Sequence, residues 1–274
     1  MDITDSFAAH ALRVVREVAA AEVVPRYRHV DARHKDDGSI VTEADLASQD
    51  ALARRLSALA PYPVVAEEMP AHEQHAAFAP GGRFWCIDPL DGTRNFADGI
   101  PFFSVSVALM EGGRTLFGAV YDPIADEAFH AVRGGGAYLD EAPLRVPPRA
   151  PPLARAVAEV GLRRGTNWLR AELKNRPPYA RRVTSGSATL SWCHLAAGRI
   201  DVMLHGGQRM WDYAAGALVL EEARGALSTL EQDDFWSADP WSRSAVAARD
   251  ARLLEAWRGW LRARPRPQPT TDLT

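Results

Sequence analysis

The residues best suited to chemistry in this chain are carboxylates placed where short apolar runs end. Pro63-Val64-Val65-Ala66 leads into Glu67-Glu68, and Phe84-Trp85-Cys86-Ile87 leads into Asp88, with Asp91-Gly92-Thr93 close behind. Asp212 follows Trp211 far along the chain, and Asp45 follows Val41-Thr42. Taken singly, most have a plain explanation. Thr42 with Asp45 resembles a capping box, Asp212 suits a helix start, and Glu67-Glu68 reads as a solvated loop. Asp88 and Asp91 are harder to explain away, because Asp88-Pro89-Leu90-Asp91 puts two acids on one tight turn after a buried strand. Their repulsion is costly unless a cation neutralises it. Oxygen donors of this kind suit magnesium or manganese rather than zinc.

Other motifs lead nowhere comparable. Asp91-Gly92-Thr93 brings to mind haloacid-dehalogenase phosphatases, but their nucleophilic Asp stands one residue before the second acid. Here two residues intervene and one is Pro89, which disfavours an aspartyl-phosphate route. His72-Glu73-Gln74-His75 has one residue too few between its histidines for a metalloprotease helix. Gly134-Gly135-Gly136 separates two strands and reads as a turn. Cys86 and Cys193 form no CxxC pair and read as reduced core residues. A formal charge of −3 supplies no dominating basic field, so nucleic acid is not an expected partner. Arg163-Arg164 and Arg181-Arg182 read as solvated surface. The N-terminus lacks a signal pattern and no apolar run is long enough for a membrane span, so the expectation is a cytoplasmic protein.

Two helices open the chain. Phe7, Ala11, Val14, Val15 and Val18 share one helical face, with Pro25 helping to end it. The second spans about Glu43 to Leu59, with Thr42 as N-cap, Pro61 as stop, and Leu52, Leu56 and Leu59 inward. Phe103 to Leu109 alternates with Ser104, Ser106 and Ala108, which predicts a strand with one buried face. Thr115–Tyr121, Glu127–Val132 and Ala137–Leu139 extend it into an antiparallel meander. Pro147-Pro148-Arg149-Ala150-Pro151-Pro152 is the clearest linker. Beyond it strands near 156–160, 182–184, 200–204, 226–230 and 245–248 alternate with helices near 167–175, 188–197, 211–223 and 251–262. The expected division is an N-terminal α+β subdomain over 1–146, a C-terminal α/β subdomain over 153–263, and a frayed tail over 264–274.

The segments VTEAD (41–45), AEE (66–68), WCIDPLDGTRNF (85–96) and WDYAAGALVLEEARG (211–225) together resemble the inositol monophosphatase family. GIPFFSVSVAL after the central motif matches as well, and order and spacing agree from about residue 7 to 250. The resemblance implies the layered αβαβα sandwich of inositol monophosphatase and fructose-1,6-bisphosphatase, usually a homodimer. It implies a magnesium-dependent phosphomonoesterase, with two or three Mg2+ per subunit and Mn2+ as a substitute. Glu67, Asp88 and the Leu90 carbonyl would hold one metal, and Asp88, Asp91 and Asp212 a second. Asp45 and Thr93 would orient the attacking water, with Glu67 also in the catalytic set. Gly92 and Thr93 would offer N–H groups to the phosphate, near a short helix beginning at Arg94.

For the leaving group, the resemblance implies a pocket of Gly186, Ser187, Ala188 and His205. His205 stands where inositol phosphatases usually carry a Glu, and an imidazole differs from a carboxylate in charge and hydrogen bonding. Arg209 would face the leaving group or solvent. Ala66 replaces a usual Gly, and Arg224 stands where a helix-ending glycine is expected, leaving Gly225 as the stop. The expected substrate is a small polyol or sugar monophosphate of the inositol-1-monophosphate kind. Alternatives are a histidinol-phosphate or 3′-phosphonucleotide phosphatase on the same fold, and a noncatalytic regulatory protein that binds RNA or protein.

Overall fold

The computed structural model describes residues 3–29, 31–35, 38–78, 81–162 and 167–263; Asp36, Asp37, Arg163, Arg164 and the 264–274 tail lie outside the described residues. Helix α1 (Asp5–Val18) starts at Thr4, whose hydroxyl accepts the Phe7 N–H at 3.2 Å. A π turn (Ala19–Val23) and a 3-10 turn (Val24–Arg26) continue it, so Pro25 sits in the trailing turn and not at the end of α1. A two-stranded hairpin, β1 (Arg33–His34) and β2 (Ile40–Val41), leads into α2 (Glu43–Leu59). Thr42 and Asp45 close a capping box at its start.

The first large sheet runs β3 (Val64–Ala66), β4 (Arg83–Asp91), β5 (Ser104–Glu111), β6 (Arg114–Asp122), β7 (Glu127–Val132), β8 (Gly136–Leu139) and β9 (Ala142–Leu144), in that spatial order. Only β3 and β4 pair in parallel; the others form the expected meander. Helix α3 (Ala71–Ala77) links β3 to β4, and the short α4 (Thr93–Ala97) links β4 to β5. The second sheet is ordered β11 (Arg181–Val183), β10 (Val157–Gly161), β12 (Val202–Gln208), β14 (Arg243–Ala248), β13 (Ala226–Ser228). It is parallel on the β10 side and antiparallel around β14. Around it lie α5 (Asn167–Asn175), α6 (Ala188–Ala196), α7 (Met210–Glu222) and α8 (Ala251–Arg262).

Three buried clusters define the layering. Along β4, Trp85 and Ile87 pack with Phe7, Val15, Leu52 and Leu56 of α1 and α2. Phe84 and Cys86, on the opposite face, pack with Leu190, Trp192 and Leu218 of α6 and α7, and with Met203 and Ala247 of the second sheet. Val202, Leu204 and Val246 turn to the far side and meet Leu169, Leu173, Leu253 and Trp257 of α5 and α8. The period-two alternation of each strand thus serves two cores, and the stack reads α, β, α, β, α. One sequence expectation needs correction: β5 is not half-exposed. Ser104, Ser106 and Ala108 are as buried as Val105, Val107 and Leu109, because both faces of the sheet are covered.

Helix α7 lies unusually close to β6. A Cβ added at Gly118 would stand 2.8 Å from the Ala215 backbone, and the Thr115 hydroxyl donates to the Ala214 carbonyl at 2.8 Å. The end of α7 also differs from expectation. Arg224 itself adopts the left-handed conformation (φ 74°), and Gly225 N–H reaches back to the Leu220 carbonyl at 2.9 Å while Arg224 N–H reaches Glu221 at 3.0 Å. That is a Schellman ending with arginine in the position glycine usually fills.

Candidate active site

The central acids are placed by an irregularity in β4. Asp88 pairs with Ser106 of β5 and Asp91 with Ser104, so three steps along one strand match two along the other. Without the extra residue, alternation would send positions 88 and 91 to opposite faces. The tight turn expected at Asp88–Asp91 is therefore a bulge within the strand, which continues to Asp91. Pro89 suits a bulge, having no N–H to pair, and its carbonyl accepts the buried Ser48 hydroxyl at 2.9 Å. Leu90 turns its side chain into the α1–α2 core.

Asp88 is 1% exposed. Its Oδ1 accepts the Leu90 N–H at 3.1 Å, while Oδ2 is buried with no hydrogen-bond partner among the described residues. Burial first, and then the charges of Glu67, Asp91, Asp212 and Asp45, push its carboxyl well above the usual range. Glu67 is raised in the same way, by burial, then by Asp212 and Glu68, with Lys35 opposing. Lys35 donates to Glu68 at 2.6 Å. Burial pulls its ammonium down, but Glu68, Glu67 and Asp45 together hold it above its ordinary value.

Asp45 and Thr93, far apart in the chain, meet at the start of α4. The Thr93 hydroxyl lies 3.0 Å from Asp45 Oδ1 and 2.9 Å from the Leu90 carbonyl. Asp45 Oδ2 accepts the Thr42 N–H at 2.7 Å and hydroxyl at 2.6 Å. Burial raises the Asp45 carboxyl to about 6 against these hydrogen bonds. Helix α4 starts at Thr93, one residue before the expected Arg94, and Gly92 caps it with φ 90°. A side chain there would be strained and would also crowd the Phe102 carbonyl at 3.1 Å.

The other sheet and its helices close the opposite wall. Asp91 Oδ2 accepts from Ser187 Oγ at 2.5 Å and from Thr189 N and Oγ, each at 2.7 Å. Asp212 sits in the first turn of α7, where its Oδ2 accepts the Arg209 N–H at 2.8 Å. Asn95 of α4 donates to the Phe102 carbonyl at 2.7 Å and to Ser185 at 2.8 Å. It thereby ties the α4 turn to the 185–188 segment, and a Cβ at Gly186 would press on it at 2.7 Å. Asn95 stands inside the WCIDPLDGTRNF motif, where its residue type alone gives it no role. Thr189 has only one signal in the sequence, a polar residue one step past Gly186-Ser187-Ala188.

His205 faces the same side of β12 as Met203, with its ring against Gly161, where a Cβ would stand 2.8 Å from it. Its Nε2 is buried without a partner among the described residues, and burial lowers the imidazole to about 4, so it is neutral at pH 7. Arg209 is exposed, its guanidinium 3.4 Å from the Trp241 carbonyl. Elsewhere the plain readings hold. His75 packs on Trp241 and His72 is exposed, Cys86 and Cys193 are free and buried, and the Gly134 and Gly136 N–H groups bind the Glu222 carboxylate.

Whether the acids suit a divalent cation can be judged from their atoms. Among the described residues no three His, Cys, Asp or Glu side chains already stand as a metal-binding cluster. Glu67 and Asp88 are the two whose carboxyls burial and the neighbouring acids raise. Yet the donors are all oxygen, and Asp88 Oδ2 is desolvated with nothing to satisfy it. That donor set fits a hard ion such as Mg2+ or Mn2+.

Comparison with known proteins gives the same direction. Residues 4–261 match the model of the inositol monophosphatase family. An inositol-1-monophosphatase of Mesorhizobium japonicum is 36% identical over 207 residues, 72% of this chain and 74% of that one. The Nus factor SuhB of Haemophilus influenzae is 33% identical over 264 residues, 89% and 91% of the two chains. In three dimensions the extragenic suppressor protein suhB of Bartonella henselae superposes with a TM-score of 0.82 at 26% identity, covering 94% of this chain and 99% of that one. With the bulged acid pair, the Asp45–Thr93 contact and the five-layer stack already in place, the chain belongs to the inositol monophosphatase family.

Proposed function

We propose that this chain is a magnesium-dependent phosphomonoesterase that hydrolyses a small polyol or sugar monophosphate, with water as nucleophile. The observation that carries the reading is Asp88 Oδ2, buried among acids and without a hydrogen-bond partner among the described residues. Glu67, Asp88 and the Leu90 carbonyl would hold one Mg2+, and Asp88, Asp91 and Asp212 another. When bound, magnesium supplies a Lewis acid that polarises the phosphoryl oxygens and eases ionisation of water.

The chain's own residues supply the rest. Thr93 can donate its proton to Asp45 and accept one from a water, so the pair orients a nucleophile and gives its proton somewhere to go. A carboxyl at about 6 is suited to that exchange near neutral pH. Gly92 and Thr93 lie at the start of α4, where backbone N–H groups lack intrahelical acceptors and can orient phosphate. On the leaving-group side, Gly186, Ser187, Ala188 and neutral His205 would meet the alcohol. The Ser187 hydroxyl is committed to Asp91, which leaves the segment's backbone and the His205 ring for recognition. Replacing a carboxylate by a neutral imidazole favours substrates that need no anionic hydrogen-bond acceptor there. A homodimer belongs to the same reading.

Relatives named Nus factor SuhB favour a second reading, a binding protein without turnover. The full acid set speaks for catalysis. A panel of phosphorylated polyols, sugars, histidinol phosphate and 3′-phosphonucleotides, assayed with and without Mg2+ and Li+, separates the two. Mg2+-dependent phosphate release from a polyol or sugar phosphate is expected; no turnover of any compound overturns the enzyme reading.

A further inference from the structure

One carboxylate oxygen at the site, Oδ2 of Asp91, is densely hydrogen-bonded, and its partners are not acids. Asp91 Oδ2 receives three hydrogen bonds, two of them from one residue. A carboxylate oxygen offers about two lone-pair directions, so three donors saturate it and fix the plane of the group. The donors are equally constrained. Thr189 has a single hydroxyl proton, and its place on Asp91 means that the Ser104 hydroxyl, 2.6 Å away, donates into Thr189. Ser187 accepts the Leu190 N–H at 3.3 Å as the cap of α6, which frees its proton for Asp91. Ser104, Ser187 and Thr189 are all 1% exposed or less. Bulk water therefore does not compete for these bonds in the folded chain.

The arrangement crosses two layers. Asp91 and Ser104 are neighbours on β4 and β5, whereas Ser187 and Thr189 open α6. A bulged strand would leave Asp91 free to rotate about χ1 and χ2, and the α6 donors remove that freedom. We propose that Ser187 and Thr189 are positioning residues that lock Asp91 through Oδ2, so that Oδ1 alone is presented to a divalent cation. The inference rests on the magnesium reading of the site. The contrary view is that Asp91 merely caps α6 and contributes to folding alone.

The test uses Thr189→Val, which keeps the shape and the backbone N–H and removes one donor and the link to Ser104. Mg2+ affinity is read in substrate-free protein from the rise of the melting temperature with Mg2+ concentration. In parallel, kcat and the KM for Mg2+ are measured on whichever substrate the wild type turns over. Loss of a hydrogen bond to a metal-binding carboxylate weakens metal binding by roughly 10–100-fold. We expect a loss in that range for Thr189→Val, kcat at saturating Mg2+ within a few-fold of wild type, and recovery in Thr189→Ser. A folded Thr189→Val protein with wild-type Mg2+ affinity overturns the proposal. Should that variant not fold, Ser104→Ala leaves all three donors in place and removes only the support of Thr189. It must weaken Mg2+ binding in the same direction, and unchanged affinity again refutes the lock. A wild type that Mg2+ does not stabilise at all removes the metal reading itself, and this inference with it.

Discussion

Replacing Asp88 by Asn should make the metal-free protein more stable while destroying its response to magnesium. In the absence of a cation Asp88 is buried, one of its oxygens has no partner among the described residues, and Glu67, Asp91 and Asp212 all oppose its ionisation. The cost of that charge has a ceiling, because the group can take up a proton instead. At pH 7 a carboxyl with an ordinary value near 4 can cost at most about three pH units at ~1.36 kcal/mol each, or roughly 4 kcal/mol. Asparagine keeps the shape and the acceptor for the Leu90 N–H, removes the charge, and gives the surrounding acids an N–H2 donor. The expected gain is ~2–4 kcal/mol in chelator at pH 7, shrinking toward pH 5 because holding a proton on the buried carboxyl costs less as pH nears the ordinary value of the unfolded chain. With magnesium at about a hundred times its dissociation constant, the wild type should gain roughly 2.7 kcal/mol, and Asp88→Asn should gain little. Phosphatase activity should fall by more than the roughly 10–100-fold that the loss of even an outer partner of a metal ligand causes. Urea unfolding with chelator and with Mg2+, beside phosphate release, reads all three quantities. A variant less stable than wild type in chelator, or one stabilised by Mg2+ as the wild type is, would refute the reasoning.

Other outcomes follow from single features of the fold. Arg224→Gly should raise stability by about 1 kcal/mol, since a left-handed backbone costs a side chain roughly that much; the melting temperature should rise by ~2–4 °C. Gly118→Ala should lower stability by ~1–3 kcal/mol, because its methyl meets α7 backbone at 2.8 Å and not a side chain that could turn aside. By shifting the helix that carries Asp212 it should also weaken Mg2+ stabilisation, and an unchanged urea midpoint would show that α7 yields freely. His194 and His205 are each lowered to about 4 by burial, with Arg199 adding to the effect at His194. The unfolded chain gains a proton at each as pH falls through about 6.5, while the folded chain stays neutral until about 4. Stability should therefore drop between those limits by up to roughly 3 kcal/mol for each histidine, with no effect above pH 7. In His194→Gln the slope of stability against pH over that window should shrink, and an unaltered slope would contradict the assignment.

How much of this was legible in the sequence depends on how local the controlling contact is. Helix α2 begins and ends where Thr42 and Pro61 place it, since a cap and a stop act within a few residues. The bounds of β7 and α8 likewise follow from short-range pattern. The alternation of β5 predicts a strand, which it is, with one exposed face, which it lacks. Small serines are tolerated in a buried face once their hydroxyls find partners, and the partner of Ser104 is 85 residues away. At the end of α7, glycine at 225 looked like the stop. The Leu220 side chain occupies the space a Cβ there would need, at 2.2 Å, so Gly225 is required for close approach and the left-handed residue falls at Arg224.

Asp91 concentrates the same lesson at the site. The spacing of Asp88 and Asp91 suggested a turn, because two acids three apart on a regular strand point opposite ways. A bulge solves that problem differently, and whether a chain bulges depends on the register of the neighbouring strand, which one segment cannot reveal. Having reached the right face, the carboxylate still needs its orientation set, and those donors come from Ser187 and Thr189. Motif reading gave Ser187 to the substrate, as a small residue lining a pocket. Its geometry gives the hydroxyl to Asp91 and leaves the substrate a quieter surface. The acids of this site were thus visible as residue types, whereas what aims them is distributed over helices that approach from the other half of the chain.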